Sequence, residues 1–171
     1  MLTENETRTL IKFINKSFGL DVSENLKPIA LAELNKFKKI NKILDLENFL
    51  NKSRYDLHDS KILNLLEIFL IPHTNFFRNN RQFEILKSTV IPECIARKEH
   101  KKDVDLRIWS AGCSTGEEAF SILVSLLEYF GDEYWKITCG IMATDISRKS
   151  LKVASKGIYE TKRIDKIIYQ R

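Results

Sequence analysis

The sequence predicts a mixed α/β protein: a small all-α domain over residues 1–71, a connecting segment and helix over 72–104, and the start of a parallel sheet, a βαβ unit, over 105–171. Three observations lead there. Apolar residues recur at helical intervals throughout the first 71 positions. Pro72 then interrupts the pattern, because the residue before a proline is pushed out of helical geometry. From Asp105 onward the order becomes apolar run, glycine-containing turn, helical apolar run and second apolar run, which is the grammar of a strand, a crossover helix and a parallel partner strand.

Element by element, Thr3 and Glu6 have the spacing of a capping box, and Leu10, Ile11, Ile14 and Phe18 continue at helical intervals until Gly19 offers a stop. Pro28 fits the first turn of a second helix with Leu31, Leu34, Phe37 and Ile40 on its apolar side. Asp45 can cap a third, around Leu46, Phe49 and Leu50. A fourth runs from about Asp59 to Leu70, and four short amphipathic helices make a small bundle. Beyond Pro72, "HTNFFRNNRQF" (His73 to Phe83) reads as a loop with paired aromatics, followed by a helix from about Arg81 to Ile95 and a polar linker, Arg97 to Asp103. Strands are expected around Leu106–Trp109 and Ile137–Thr144, and helices over Glu117–Phe130 and Ser147–Ser155.

Composition narrows the class. With 171 residues, 43% of them hydrophobic, the chain can bury one respectable core or two small ones. Cys94, Cys113 and Cys139 are odd in number and lack a Cys-x-x-Cys pair, which argues against a disulfide framework or a zinc site and predicts no metal and a reducing compartment. No apolar run is long enough to span a bilayer and the amino terminus carries no leader pattern, so the expectation is a cytoplasmic protein without membrane insertion. The net charge of +5 suits an acidic partner but is too modest to point to nucleic acid. The chain is expected to be a monomer.

The most informative stretch is "RIWSAGCSTGEEAFSILVSLL", Arg107 to Leu127. A turn between a parallel strand and its helix sits at the carboxyl edge of the sheet, where such folds bind ligands. Gly112 and Gly116 allow a tight bend and leave no side chain to block a flat ligand. Asp145, at the end of the next strand, is placed to accept hydrogen bonds from both hydroxyls of a ribose, so the set implies an adenosine-containing cofactor. Glu117 and Glu118 at the helix start would repel a pyrophosphate, so the cofactor is positive or neutral there. The same residues also fit purely structural roles: turn geometry for the glycines, capping for Ser114, Thr115 and Asp145, and helix-dipole pairing for the glutamates.

These motifs resemble a known family. "RIWSAGCSTGEEAFS" is similar to the cofactor loop of the CheR-type chemotaxis receptor (protein-glutamate) methyltransferases, which use S-adenosylmethionine. "HTNFFRN" resembles that family's Thr-x-Phe-Phe-Arg segment, and "IMATDISRKSLKVASKGIY" its Ala-Thr-Asp-Ile strand end with the following Gly-x-Tyr. The resemblance implies a helical amino-terminal domain followed by a Rossmann-like methyltransferase domain, of which this chain looks like the truncated beginning. It implies a methyl group passed from S-adenosylmethionine to glutamate side chains in the cytoplasmic helical region of chemotaxis receptors. Glu118 would contact the charged methionine end of the cofactor and Asp145 the ribose; Gly112, Thr74 and Arg78 would lie against it, with Arg78 also beside the acceptor carboxylate as the catalytic residue.

Two positions depart from the family pattern. Pro72 stands where an asparagine usually touches the cofactor, and the arginine usual soon after Lys27 is missing, Glu33 and Leu34 occupying that neighbourhood. The cluster Lys36, Lys38, Lys39 and Lys42 offers either a substitute face for an acidic partner helix or a solvated helix face. Members of the family also continue well past this length, with further strands and an Asn-rich segment that helps hold the adenine. This predicts weak cofactor binding and no methyl transfer by the 171 residues alone. A non-catalytic, truncated binding or adaptor relative is the alternative; a nicotinamide dehydrogenase is disfavoured because the turn lacks the third glycine of the dinucleotide fingerprint.

Overall fold

The structure, a computed structural model, describes residues 1–23, 26–70, 74–97 and 104–168. The helix stop expected at Pro72 and most of the linker Arg97–Asp103 lie outside the described residues. The chain forms two compact units, Met1–Ile71 and Pro72–Arg171.

The first unit consists of α1 (Glu4–Phe18), α2 (Pro28–Ile40), α3 (Leu46–Ser53) and α4 (Ser60–Leu66). Local chemistry sets its helix ends. Thr3 and Glu6 close a reciprocal capping box at the start of α1, and Gly19 ends that helix in the left-handed conformation, where a Cβ would be strained. Asp45 and Asp59 accept the first free amides of α3 and α4, from Asn48 and Lys61. The apolar stripes of the helices meet in one core, with Ile14, Ile62 and Leu65 at 0% exposure.

Two details differ from the sequence expectation. Ile40 is exposed, because at 100° per residue it lies about 90° from the direction that Leu34 and Phe37 share. Helix α4 ends at Leu66 rather than Leu70: the amides of Ile68 and Phe69 reach three residues back, to the carbonyls of Leu65 and Leu66, and tighten the chain into a turn. Lys38 of the lysine cluster is committed inside the unit, pairing with Glu6 and holding that carboxyl below the usual carboxylate range.

In the second unit a run of helix over residues 80–96 comprises α5 (Asn80–Ile85), a π-helical turn (Leu86–Val90) and α6 (Ile91–Ala96). Pro92 explains the widened turn: it has no N–H to give to the carbonyl four residues back and its ring crowds that carbonyl. Strand β1 (Val104–Ala111), helix α7 (Glu117–Phe130) and strand β2 (Ile137–Thr144) form the βαβ unit, and the strands pair in parallel from Val104↔Ile137 to Ala111↔Thr144. Both strands therefore end together, at the edge where the Gly112 turn and Asp145 emerge. Phe83, Ile91, Leu106, Ile122 and Leu126 form the core between the 80–96 run, β1 and α7. Helix α8 (Arg148–Lys156), capped by Ser147 and ended by left-handed Gly157, comes next, and α9 (Thr161–Ile168) follows in a segment to which the sequence assigned no element. No helix among the described residues is long and apolar enough to cross a membrane.

Candidate functional site

Beyond β1 the chain makes a turn with three residues at positive φ: Gly112 (+75°), Ser114 (+50°) and Gly116 (+99°). Its amides are anchored to the end of β2. The Thr144 carbonyl accepts from Gly112 N–H and Cys113 N–H at 2.8 and 2.9 Å, and Asp145 accepts from Ser114 N–H on Oδ2 and from Ser147 N–H on Oδ1, each at 2.8 Å. The Asp145 carboxylate thus ties the turn after β1 to the start of α8.

The two glycines do different work. Nothing lies within 4 Å of the place a Cβ would take on Gly112, so that side of the turn is open. A Cβ on Gly116 would meet Tyr159 Oη at 2.6 Å and Ala154 Cβ at 2.9 Å. The expectation that both glycines clear space for a flat ligand therefore needs correction: the missing Cβ of Gly116 makes room for the protein's own α8 and Tyr159, and of the two only Gly112 has open space where a Cβ would point.

Three segments surround one cleft of about 140 Å³: the Thr74–Asn79 turn with the first turns of α5, the Gly112–Ser114 turn, and the start of α7. Thr74, Arg78, Gly112 and Glu118 all line it, although the outermost two are 44 positions apart in the chain. Glu118 is held there by Ser110, whose hydroxyl donates to its Oε1 at 2.6 Å. Asp145 is not among the lining residues; half-buried, it adjoins the cleft through its hydrogen bond with Ser114, which does line it. The side-chain amides of Asn75, Asn79 and Gln82 complete the wall and were missed in the sequence. Asn79 and Gln82, three apart at the start of α5, share one side of its first turn, a signal that could have found them, whereas Asn75 lies in the preceding turn, where helical spacing gives none. A larger hollow of about 390 Å³ between α7, β2 and α8 is lined by apolar groups such as Phe120, Leu123, Ile141 and Leu151 and holds no titratable side chain. Of the two, only the smaller cleft is lined by titratable side chains, Arg78 and Glu118.

Arg78 owes its place to a strained neighbour. Phe77 has φ +50°, costly for a side chain with a Cβ, and is held by its N–H donating to the Ser121 hydroxyl at 2.9 Å and by its ring packing edge-on against Phe83. Ser121 is fully buried and donates in turn to the Glu117 carbonyl at 2.6 Å. Replacing it with alanine removes the hydroxyl that accepts from the Phe77 amide. Ser121→Ala is expected to destabilise the second unit by about 1–2 kcal/mol. Urea unfolding followed by tryptophan fluorescence checks this, since Trp109 and Trp135, the only tryptophans, both belong to that unit; an unchanged midpoint would remove Ser121 from this account.

Cys113, one residue from the open glycine, is buried, and burial pushes its thiol up, with the Asp145 carboxylate and then those of Glu118 and Glu117 adding to the effect. The shift disfavours the thiolate, which is the nucleophilic form. The arrangement suits a ligand with a positive end: Glu118 faces the cleft, an amide-lined wall can fix orientation, and Gly112 leaves space for a flat group.

Comparison with known proteins agrees with this chemistry. The family profile described as "CheR methyltransferase, SAM binding domain" matches residues 72–171. The chain is 34% identical over 166 residues, 95% of its length, to a chemotaxis protein methyltransferase of Borreliella burgdorferi, covering 58% of that protein. It is 28% identical over 151 residues, 87% of its length, to chemotaxis protein methyltransferase 1 of Pseudomonas aeruginosa, covering 54% of it. A Listeria innocua chemotaxis protein methyltransferase is 26% identical over 91% of the chain, which covers 56% of that relative. The chain thus spans a little over half the length of the curated relatives it matches.

Proposed function

The chain belongs to the CheR methyltransferase family, with S-adenosylmethionine as the cofactor of its matching domain, and on that premise we propose that it takes part in methylating glutamate side chains of chemotaxis receptors, binding the cofactor in the cleft at the carboxyl ends of β1 and β2. The observation that carries this reading is the convergence of Thr74, Arg78, Gly112 and Glu118 on that cleft, with Asp145 fixing the turn between them.

The residues present fit the cofactor. In this reading Glu118 takes the positive amino end, Gly112 lets the nucleoside approach the backbone, and Asp145 offers the carboxylate lone pairs left over from Ser114 and Ser147 to the ribose hydroxyls. When bound, S-adenosylmethionine supplies an electrophilic methyl group on a sulfonium, which a receptor glutamate, already anionic at neutral pH, accepts without a general base. The work left to the protein is positioning: Arg78 neutralises and aims the incoming carboxylate, and Thr74 supports the same wall. The partner is the cytoplasmic helical region of a receptor, which places the reaction in the cytoplasm.

Calorimetric titration with S-adenosylhomocysteine tests the assignment. The expected result is weak but measurable binding that Glu118→Gln reduces at least tenfold, since a hydrogen bond to a charged group contributes about 1.5–3 kcal/mol. A chain that gives no heat of binding, or a Glu118→Gln variant that binds as well as the parent, overturns it.

A further inference from the structure

We infer that Glu117, Arg163 and Tyr159 form a positioning device for the cofactor turn, holding residues 112–118 in the shape that lines the cleft while none of the three lines it. The inference rests on the cofactor reading above for its functional meaning, and on geometry for its existence. Although Glu117 adjoins Glu118 in sequence, it turns the other way: it is 1% exposed, its Oε2 accepts from the Thr115 hydroxyl at 2.6 Å, and its Oε1 accepts from the Arg163 guanidinium at 2.7 Å. Tyr159 donates its hydroxyl to the Thr115 carbonyl at 2.7 Å and fills the space left by the missing Cβ of Gly116. Its ring stands edge-on to Phe76, in the turn that carries Thr74 and Arg78, and to Phe120 of α7. One tyrosine therefore touches both walls of the cleft from behind. Burial pushes its phenol up to about 12, with Glu117 adding to the effect, so the hydroxyl remains a donor at any physiological pH.

The ion pair is lopsided, and this makes the inference testable. Removing the guanidinium leaves a buried carboxylate without its cation, which is strongly unfavourable; removing the carboxylate leaves Arg163, whose side chain is half exposed, to be solvated by water. A residue that touched the ligand directly would not behave this way, since its loss could not be repaired at Glu117.

The experiment compares Arg163→Gln, Glu117→Gln and the double variant in the 171-residue chain, reading S-adenosylhomocysteine affinity by calorimetry and hydrogen–deuterium exchange of the 112–118 amides. Arg163→Gln is expected to weaken binding about tenfold and to speed exchange of those amides about tenfold. The double variant should return to within about threefold of the parent in both. Parent-like exchange in Arg163→Gln, or a double variant as loose as Arg163→Gln alone, overturns the inference. If the parent binds no ligand and the exchange asymmetry is still seen, the cofactor reading falls while the positioning role stands. Should Arg163→Gln fail to fold, Tyr159→Phe keeps the ring and removes only the bond to Thr115; its turn amides must exchange faster than the parent's, and unchanged exchange refutes the device.

Discussion

Asp145→Ala is expected to remove detectable binding of S-adenosylhomocysteine and to destabilise the second unit by about 3 kcal/mol, given about 1.5–3 kcal/mol for each hydrogen bond to a charged group. The carboxylate accepts the amides of Ser114 and Ser147, so the substitution takes a shared charged acceptor away from two backbone donors. It also frees Ser114, whose φ of +50° is maintained against its own preference. Loss of the ribose contact and loosening of the turn then act together, and affinity should fall at least a hundredfold. Asp145→Asn retains one carbonyl oxygen and presents an N–H₂ to the other amide, so it should fall between parent and alanine variant. Urea unfolding followed by tryptophan fluorescence, paired with calorimetric titration, reads both effects. An alanine variant within about 1 kcal/mol of the parent would show that Asp145 does not carry the turn.

Gly116→Ala should cost about 3 kcal/mol in the same unfolding assay, while Gly112→Ala costs about 1 kcal/mol. Both glycines have positive φ, so both variants bear the strain of a left-handed Cβ. Only at Gly116 does the new methyl group also meet packed atoms: Tyr159 Oη at 2.6 Å, which can leave only by giving up its bond to Thr115, and Ala154, whose Cα at 3.1 Å belongs to the backbone of α8. The contrast is internally controlled because the two positions share one turn. Equal losses would mean that the contact of the turn with Tyr159 and α8 contributes nothing. The methyl group at Gly112 enters open space beside the cleft, so that variant should lose ligand affinity out of proportion to its small loss of stability.

Much of this architecture was legible because its signals are local. The capping box at Thr3 and Glu6, the left-handed stop at Gly19, Pro28 in the first turn of α2 and the cap at Asp45 each involve residues no more than four apart, so the chain states them outright. The parallel pairing of β1 and β2 followed from the order of strand, turn, helix and strand, and the chemistry of the turn from its glycines and glutamates. Local reading failed where packing chose among equivalent options. Ile40 continues the apolar spacing of α2 yet is exposed, and α4 stops four residues short of its apolar run. The π-helical turn could have been suspected from Pro92, but which residues widen was not written in the spacing.

By itself the sequence determined that a helical bundle precedes a βαβ unit, that the strands run in parallel, and that a turn rich in glycine and carboxylate stands at their carboxyl edge. Tertiary structure alone decided which member of each apparent pair does which job. Glu117 and Glu118 are neighbours with the same chemistry, but about 100° of helical rotation buries one against half-exposed Arg163 and sends the other into the cleft. Gly112 and Gly116 look alike until Tyr159 and Ala154 close on only one of them. The bonds that settle these roles join Phe77 to Ser121, Ser114 to Asp145, Thr115 to Tyr159 and Glu117 to Arg163, across separations of 31 to 46 residues. No local pattern records such partners, because they become neighbours only once burial of the apolar faces has brought distant segments together.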